Sequence, residues 1–110
     1  MANVFKNAVS ASVGTSGVDV YTAGSGVTAT VIGATVANRH SSSITVDATI
    51  TDSSASATPF IVKAAPIGTG SSLVLIGGDQ KVVLETGDKI TITSNTASSA
   101  DVIISVLEST

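Results

Sequence analysis

The sequence predicts an all-β fold, an antiparallel β-sandwich or jelly roll of eight to nine short strands, and three observations carry that prediction. Ile44, Val46, Ala48 and Ile50 interleave with Thr45, Asp47, Thr49 and Thr51, the period of two that marks a half-buried strand. β-branched runs are separated by Gly, Asp, Asn and Ser turns at the short, even spacing of sandwiches. The third observation is size: 110 residues fit one core, because a chain of this length buries about two-thirds of its unfolded surface. A single domain over residues 1–110 is expected, since no linker divides the chain and no internal repeat stands out.

The elements follow in order. Residues 5–13 and 18–22 form two weaker strands around a turn bounded by Gly14 and Gly17, and residues 23–26 make the next turn. Residues 27–38 are long and β-branched, with Gly33 at a bulge or close crossing. The polar turn at 39–43 is expected to pair this strand with residues 44–51. Pro59 opens a strand at 60–64, and Pro66 suits its exit, because proline cannot donate to a central ladder. Strands at 72–76, 81–84 and 89–94 then alternate with the turns Gly77-Gly78-Asp79 and Thr86-Gly87-Asp88; Gly87 can take positive φ and Asp88 can close its turn.

The last strand, 100–108, is apolar on both faces. Val102, Ile104 and Val106 share one, whereas Ile103 and Leu107 share the other with Asp101 and Ser105. Burying a Leu or Ile side chain is worth about 1.5–3 kcal/mol, so one face belongs to the core and the other is expected to be covered, by a subunit contact or else by a loop or a thicker part of the sandwich. The candidate interface residues are Ile103 and Leu107, together with Val4 and Phe5 in an N-terminal segment, residues 1–8, expected to serve as a docking arm.

Composition narrows the partners. Charged residues make up 12% of the chain, about half the usual 25%. The five cations are scattered and the net charge is −3, so the basic footprint needed for a phosphate backbone is missing and nucleic acid is not an expected partner. A surface of Ser, Thr, Ala and Gly sheds water cheaply against a neighbour. The N-terminus has no apolar run long enough for a signal-peptide core, and nowhere do about 18 apolar residues run together, so neither export signal nor membrane span is expected. Cysteine is absent, which removes disulfides and thiolate metal sites.

Chemistry finds little to work with. His40 is the sole histidine, in a Ser-rich turn; zinc would need carboxylates plus one imidazole, and a serine nucleophile would have only this base and no Gly-x-Ser-x-Gly elbow. Asp79, Glu85 and Asp88 lie close in sequence, yet Asp79 and Asp88 sit in glycine turns as backbone acceptors rather than as a glycosidase pair. Three aromatic residues, Phe5, Tyr21 and Phe60, supply no stacking platform for sugars or single strands. Gly77-Gly78 is not followed by a GxxxxGK[ST] pattern. No catalytic residue, cofactor or metal is therefore assigned.

The run Val83-Leu84-Glu85-Thr86-Gly87-Asp88-Lys89-Ile90 resembles turns of cupin and tumour-necrosis-factor-like jelly rolls, although the cupin histidine ligands are absent. A longer series is more telling: Val31-Ile32-Gly33, Val36-Ala37-Asn38, Ile44-Thr45-Val46-Asp47, Ala65-Pro66-Ile67, Ser71-Ser72-Leu73, Gly77-Gly78-Asp79-Gln80-Lys81, Leu84-Glu85-Thr86-Gly87-Asp88 and Ser105-Val106-Leu107-Glu108. In this order it resembles small virion structural proteins of tailed bacteriophages, notably marine and cyanobacterial ones, over about residues 21–108. The resemblance implies a non-enzymatic β-sandwich subunit of the phage particle, made in the host cytoplasm. Its expected partners are itself, as a homo-oligomer with a trimer among the sizes open, and other virion proteins such as the major capsid protein. Capsid decoration (cement) is the leading expectation. A tail, baseplate or neck component stays open, as does a receptor- or carbohydrate-binding module of a tail fibre using the turns around Ser25 or Ser53.

Overall fold

A computed structural model describes residues 2–110. Nine strands appear in chain order: β1 (Asn3–Val13), β2 (Val18–Thr22), β3 (Thr28–Asn38), β4 (Ile44–Thr51), β5 (Phe60–Ile67), β6 (Ser72–Ile76), β7 (Val82–Leu84), β8 (Lys89–Ser94) and β9 (Ala100–Ser109). All pairings are antiparallel and fall into two sheets. The first runs β1-β9-β3-β6, with β7 also on β3, and the second runs β2-β8-β4-β5. β6 and β7 pair with successive stretches of β3, residues 34–37 and 29–31, so together they make one broken edge line. Counting that line once, the chain passes from sheet to sheet at every connection except β4 to β5, which is jelly-roll winding.

The expected pairing of 27–38 with 44–51 does not form. β3 lies in the first sheet and β4 in the second, so residues 39–43 cross the sandwich instead of closing a hairpin. The cause is visible at Asn38, whose buried amide nitrogen donates to the carbonyls of Ser42 (2.9 Å) and Ile67 (3.0 Å) while its Oδ1 accepts from His40 N (2.7 Å). This side chain ties the end of β3 to the turn and to the far sheet. Both strands then aim their apolar faces at each other, Val36 and Ala34 from one side and Ile44 and Val46 from the other.

Pro66 also differs from expectation, lying inside β5 opposite Thr45 rather than at the strand's exit. β5 is an edge strand, where proline's missing N–H leaves no ladder bond unmade. At Gly33 the reading of a bulge is met: the register on β9 skips between Val31 and Gly33, with Ile32 the extra residue.

Aliphatic side chains fill the space between the sheets. Val31, Val36, Leu84, Val102, Ile104 and Val106 come from the first sheet and Ile44, Val46, Ile90 and Ile92 from the second, each at most 1% exposed. Tyr21 is the one buried aromatic residue, and its hydroxyl donates to Glu108 Oε2 at 2.5 Å. Burial together with the carboxylate at its tip pushes the Tyr21 hydroxyl's pKa upward. Glu108 is held below the usual carboxylate range by that hydroxyl and by Lys6, whose Nζ lies 3.0 Å away.

Candidate functional site: the outer face of the first sheet

Alternation in β9 turns Ala100, Val102, Ile104 and Val106 into the core, which forces Ile103, Ser105 and Leu107 outward. Register extends this face across the sheet. Val9 of β1 lies opposite Ile103, Ile103 opposite Thr35 of β3, and Thr35 opposite Val74 of β6. A second row runs from Phe5 through Leu107 and Thr30 to Val83 of β7. Between the rows lie Asn7, Ser105 and Gly33, where small side chains and the Ile32 bulge leave a shallow depression of about 360 Å³ lined by Phe5, Lys6, Asn7, Ile32, Ser105 and Val106.

Exposure confirms that the face is uncovered in the single chain. Phe5 is 74% exposed, Val9 65%, Val74 64%, Val83 59% and Ile103 56%. Scattered exposed apolar residues are ordinary, but a contiguous patch calls for an explanation. The two rows hold no charged residue; at one end of the face Arg39 Nη1 and Asp101 Oδ1 pair with each other at 3.3 Å.

Of the four residues singled out from sequence, Phe5, Ile103 and Leu107 therefore meet on this face. Val4 does not join them. As the neighbour of Phe5 in an extended strand it points to the other side of β1, opposite Glu108, and is 46% exposed. Residues 3–8 of the expected arm are the first half of β1, paired with β9, while Met1 lies outside the described residues. Val9, Val74 and Val83 were not singled out. Each is an ordinary strand valine locally, and only long-range register reveals their common face.

One edge of the same sheet is β1, exposed along most of its length. Its register breaks between Ser10 and Val13, where Ser12 takes a left-handed conformation (φ 60) and donates its amide to Asp101 Oδ1 at 2.9 Å. The opposite edge of the sandwich repeats the device: Ala64 (φ 51) in β5 donates its amide to Asp47 Oδ1 at 2.7 Å. Bulges of this kind twist an edge and blunt uncontrolled strand addition.

The polar candidates resolve into turns. His40 Nδ1 lies 3.2 Å from Ser42 Oγ within its own turn, and the His40 carbonyl accepts from Thr69 Oγ1. Asp52, Glu85 and Asp88 bring carboxylate oxygens within 4.8 Å of one another. Yet Asp88 Oδ1 accepts from Ser53 N and Oγ, its Oδ2 accepts from Glu85 N, and Asp52 Oδ1 accepts from Ala55 N and Ser54 Oγ. The Ser53 amide, then that of Glu85, holds Asp88 below the usual carboxylate range. Gly87 completes this turn at φ 88, and a side chain there would start 2.9 Å from Ser53 Oγ. Asp79 stays in the Gly77–Gln80 turn, apart from that group.

Comparison with known proteins leaves the family open and agrees on the fold. No protein-family model and no curated protein matches the chain. Among solved structures it is similar to a protein of Bacillus endospore appendages, described as "a novel family of disulfide-linked pili", with a TM-score of 0.58 and 14% identity over 98% of this chain and 88% of that one. At that identity the likeness is one of fold, an antiparallel β-sandwich.

Proposed function

We propose that this chain is a non-enzymatic structural subunit of a tailed-bacteriophage particle, made in the host cytoplasm and carried on the capsid as a decoration subunit. One observation supports the assembly part above the others: of the seven exposed large apolar side chains among the described residues, five, Phe5, Val9, Val74, Val83 and Ile103, share one sheet face in two rows that hold no charge. In this reading that face serves self-association, and the regular stretch of the β1 edge before the Ser12 bulge, residues 3–10, adds backbone pairing to a capsid protein. Symmetric repetition then turns modest contacts into avidity. The sequence resemblance supports the placement on a phage.

A tail, baseplate or neck position is the alternative within this class. The fold likeness favours a second reading, a subunit of a pilus-like polymer. The Bacillus neighbour is described as disulfide-linked, whereas this chain has no cysteine, so such a polymer would rest on non-covalent contacts. Quantitative mass spectrometry and imaging of purified virions from the phage encoding the chain test the proposal. A copy number comparable with that of the major capsid protein, on the capsid faces, is the expected result. A single ring at one vertex moves the chain to neck or tail, and absence from the particle overturns the phage reading. Filaments formed by the purified chain alone would favour the polymer.

A further inference from the structure

We infer that the outer face of the first sheet is covered by the same face of a second copy of this chain, the two stacked about a two-fold axis with an apolar ridge of each in the other's central groove. The inference rests on the self-association part of the proposed function alone and gives it a geometry.

Shape is the first argument. The rows Val9-Ile103-Thr35-Val74 and Phe5-Leu107-Thr30-Val83 are ridges, and the line Asn7-Ser105-Gly33 between them is a groove. Ile103 and Leu107 are four residues apart on one strand, which at about 3.4 Å per residue separates the ridges by about 14 Å with Ser105 midway. An offset of half that spacing places one ridge of each copy over the other's groove. A two-fold axis satisfies both insertions at once, because an isologous contact repeats every pairing.

Charge is the second. A two-fold contact brings a patch against itself, so a charged patch would meet its own sign. The rows carry none, and the charges beside them are already paired: Lys6, which lines the groove, with Glu108, and Arg39 with Asp101 at one end of the face. Charge depletion at the centre of a patch, with polar groups at its rim, is the make-up of a protein interface core.

Area is the third. Four strand lines at about 4.8 Å spacing and a ten-residue β9 give a face of about 19 by 34 Å, about 650 Å² before side-chain relief is added. A standard stable contact buries about 800 Å² per partner. The flat face alone supplies about four-fifths of that area, with side-chain relief to add, and sheet-on-sheet stacking at about 10 Å is an established packing mode.

Sedimentation equilibrium of the purified full chain across a concentration series tests the pairing, with Ile103→Asp and Val74→Asp as disrupting variants and Thr51→Asp, opposite Lys89 on the outer face of the other sheet, as control. The wild type and the control are expected to associate in units of two. Each disrupting variant is expected to weaken association at least about 30-fold, the scale of an interface hot spot, with unchanged far-UV circular dichroism because both side chains are more than half exposed. The two variants lie on different strands, so if one fails to fold the other decides. A wild type that stays monomeric at about millimolar concentration overturns the inference, as does association that survives both substitutions. A monomer that still binds phage capsids overturns the pairing and leaves the particle reading standing; a dimer absent from virions does the reverse.

Discussion

The two outer faces of the sandwich are built from the same kind of strand and end in opposite chemistry. Outside the first sheet stand Phe5, Val9, Ile103, Leu107, Val74 and Val83. Outside the second stand Thr45, Thr49 and Thr51 of β4, Thr91 and Thr93 of β8, and the charged Asp19, Asp47 and Lys89, with Phe60 as its one exposed large apolar residue. The inner faces are alike, aliphatic and closed to solvent. Folding needs only those inner faces. On the proposed reading, the difference outside reflects a demand other than folding, the pairing of the first sheet's outer face with a second copy.

One residue along β9 separates the inner face from the outer. Ile104 is fully buried and Ile103 is 56% exposed, so truncating adjacent isoleucines separates the two roles. Ile104→Ala is expected to cost about 2–5 kcal/mol of stability through lost transfer energy and the cavity left behind, measured by urea denaturation under dissociating conditions. Ile103→Ala should change the same measurement by less than about 0.5 kcal/mol. Equal costs would mean that the outer face belongs to the monomer's own core, and the contrast between faces would lose its meaning.

Next in size is the turn that carries the chain from one sheet to the other. Asp88→Ala removes the acceptor for Ser53 N, Ser53 Oγ and Glu85 N. A loss of about 3 kcal/mol is expected, since hydrogen bonds to a charged group are worth about 1.5–3 kcal/mol each and are not additive. Acid should trace the same contacts. Asp88, Asp19 and Glu108 all have folded-state pKa values below their ordinary ones. The unfolded chain therefore binds protons first as pH falls, so their stabilisation is complete above about pH 4–5 and is lost progressively below it. Thermal unfolding between pH 7 and pH 2 should show a plateau and then a fall, shallower in Asp88→Asn.

Much of this arrangement was legible in the sequence, and what was not has a common cause. Strand positions followed from period-two alternation and from turns such as Gly87-Asp88, both local signals. The two-faced character of β9 followed from the same alternation, which is why Ile103 and Leu107 stood out. Partner choice did not follow. β3 and β4 are joined by five residues yet lie in different sheets, because Asn38's side chain and the complementarity of two apolar faces decide the matter, and neither has a local signature. Val74 and Val83 joined the patch by register with Thr35 and Thr30, from strands distant in sequence. Val4 shows the converse: two neighbours in a strand cannot share a face, so the alternation that grouped Ile103 with Leu107 also separates Val4 from Phe5.

The smallest expected effect lies on the polar face and sharpens the contrast from that side. Asp19 accepts from Thr91 Oγ1 at 2.8 Å and from Lys89 Nζ at 3.1 Å; the threonine hydroxyl first, and then the lysine, keep its carboxyl below the ordinary range. Both partners reach solvent, so water competes for each contact, and exposed pairs of this kind are worth about 0.2–1 kcal/mol. Asp19→Asn keeps an oxygen for Thr91 and loses only the charge toward Lys89. Its cost should be about 0.5 kcal/mol in low salt and smaller at about 1 M salt, where the screening length falls to about 3 Å, with no change in association state. Paired urea titrations at the two salt concentrations measure this. A loss above about 2 kcal/mol, or a change in sedimentation, would mean that the threonine face also supports structure or contact, and the apolar face would no longer be the one surface whose chemistry exceeds what the fold requires.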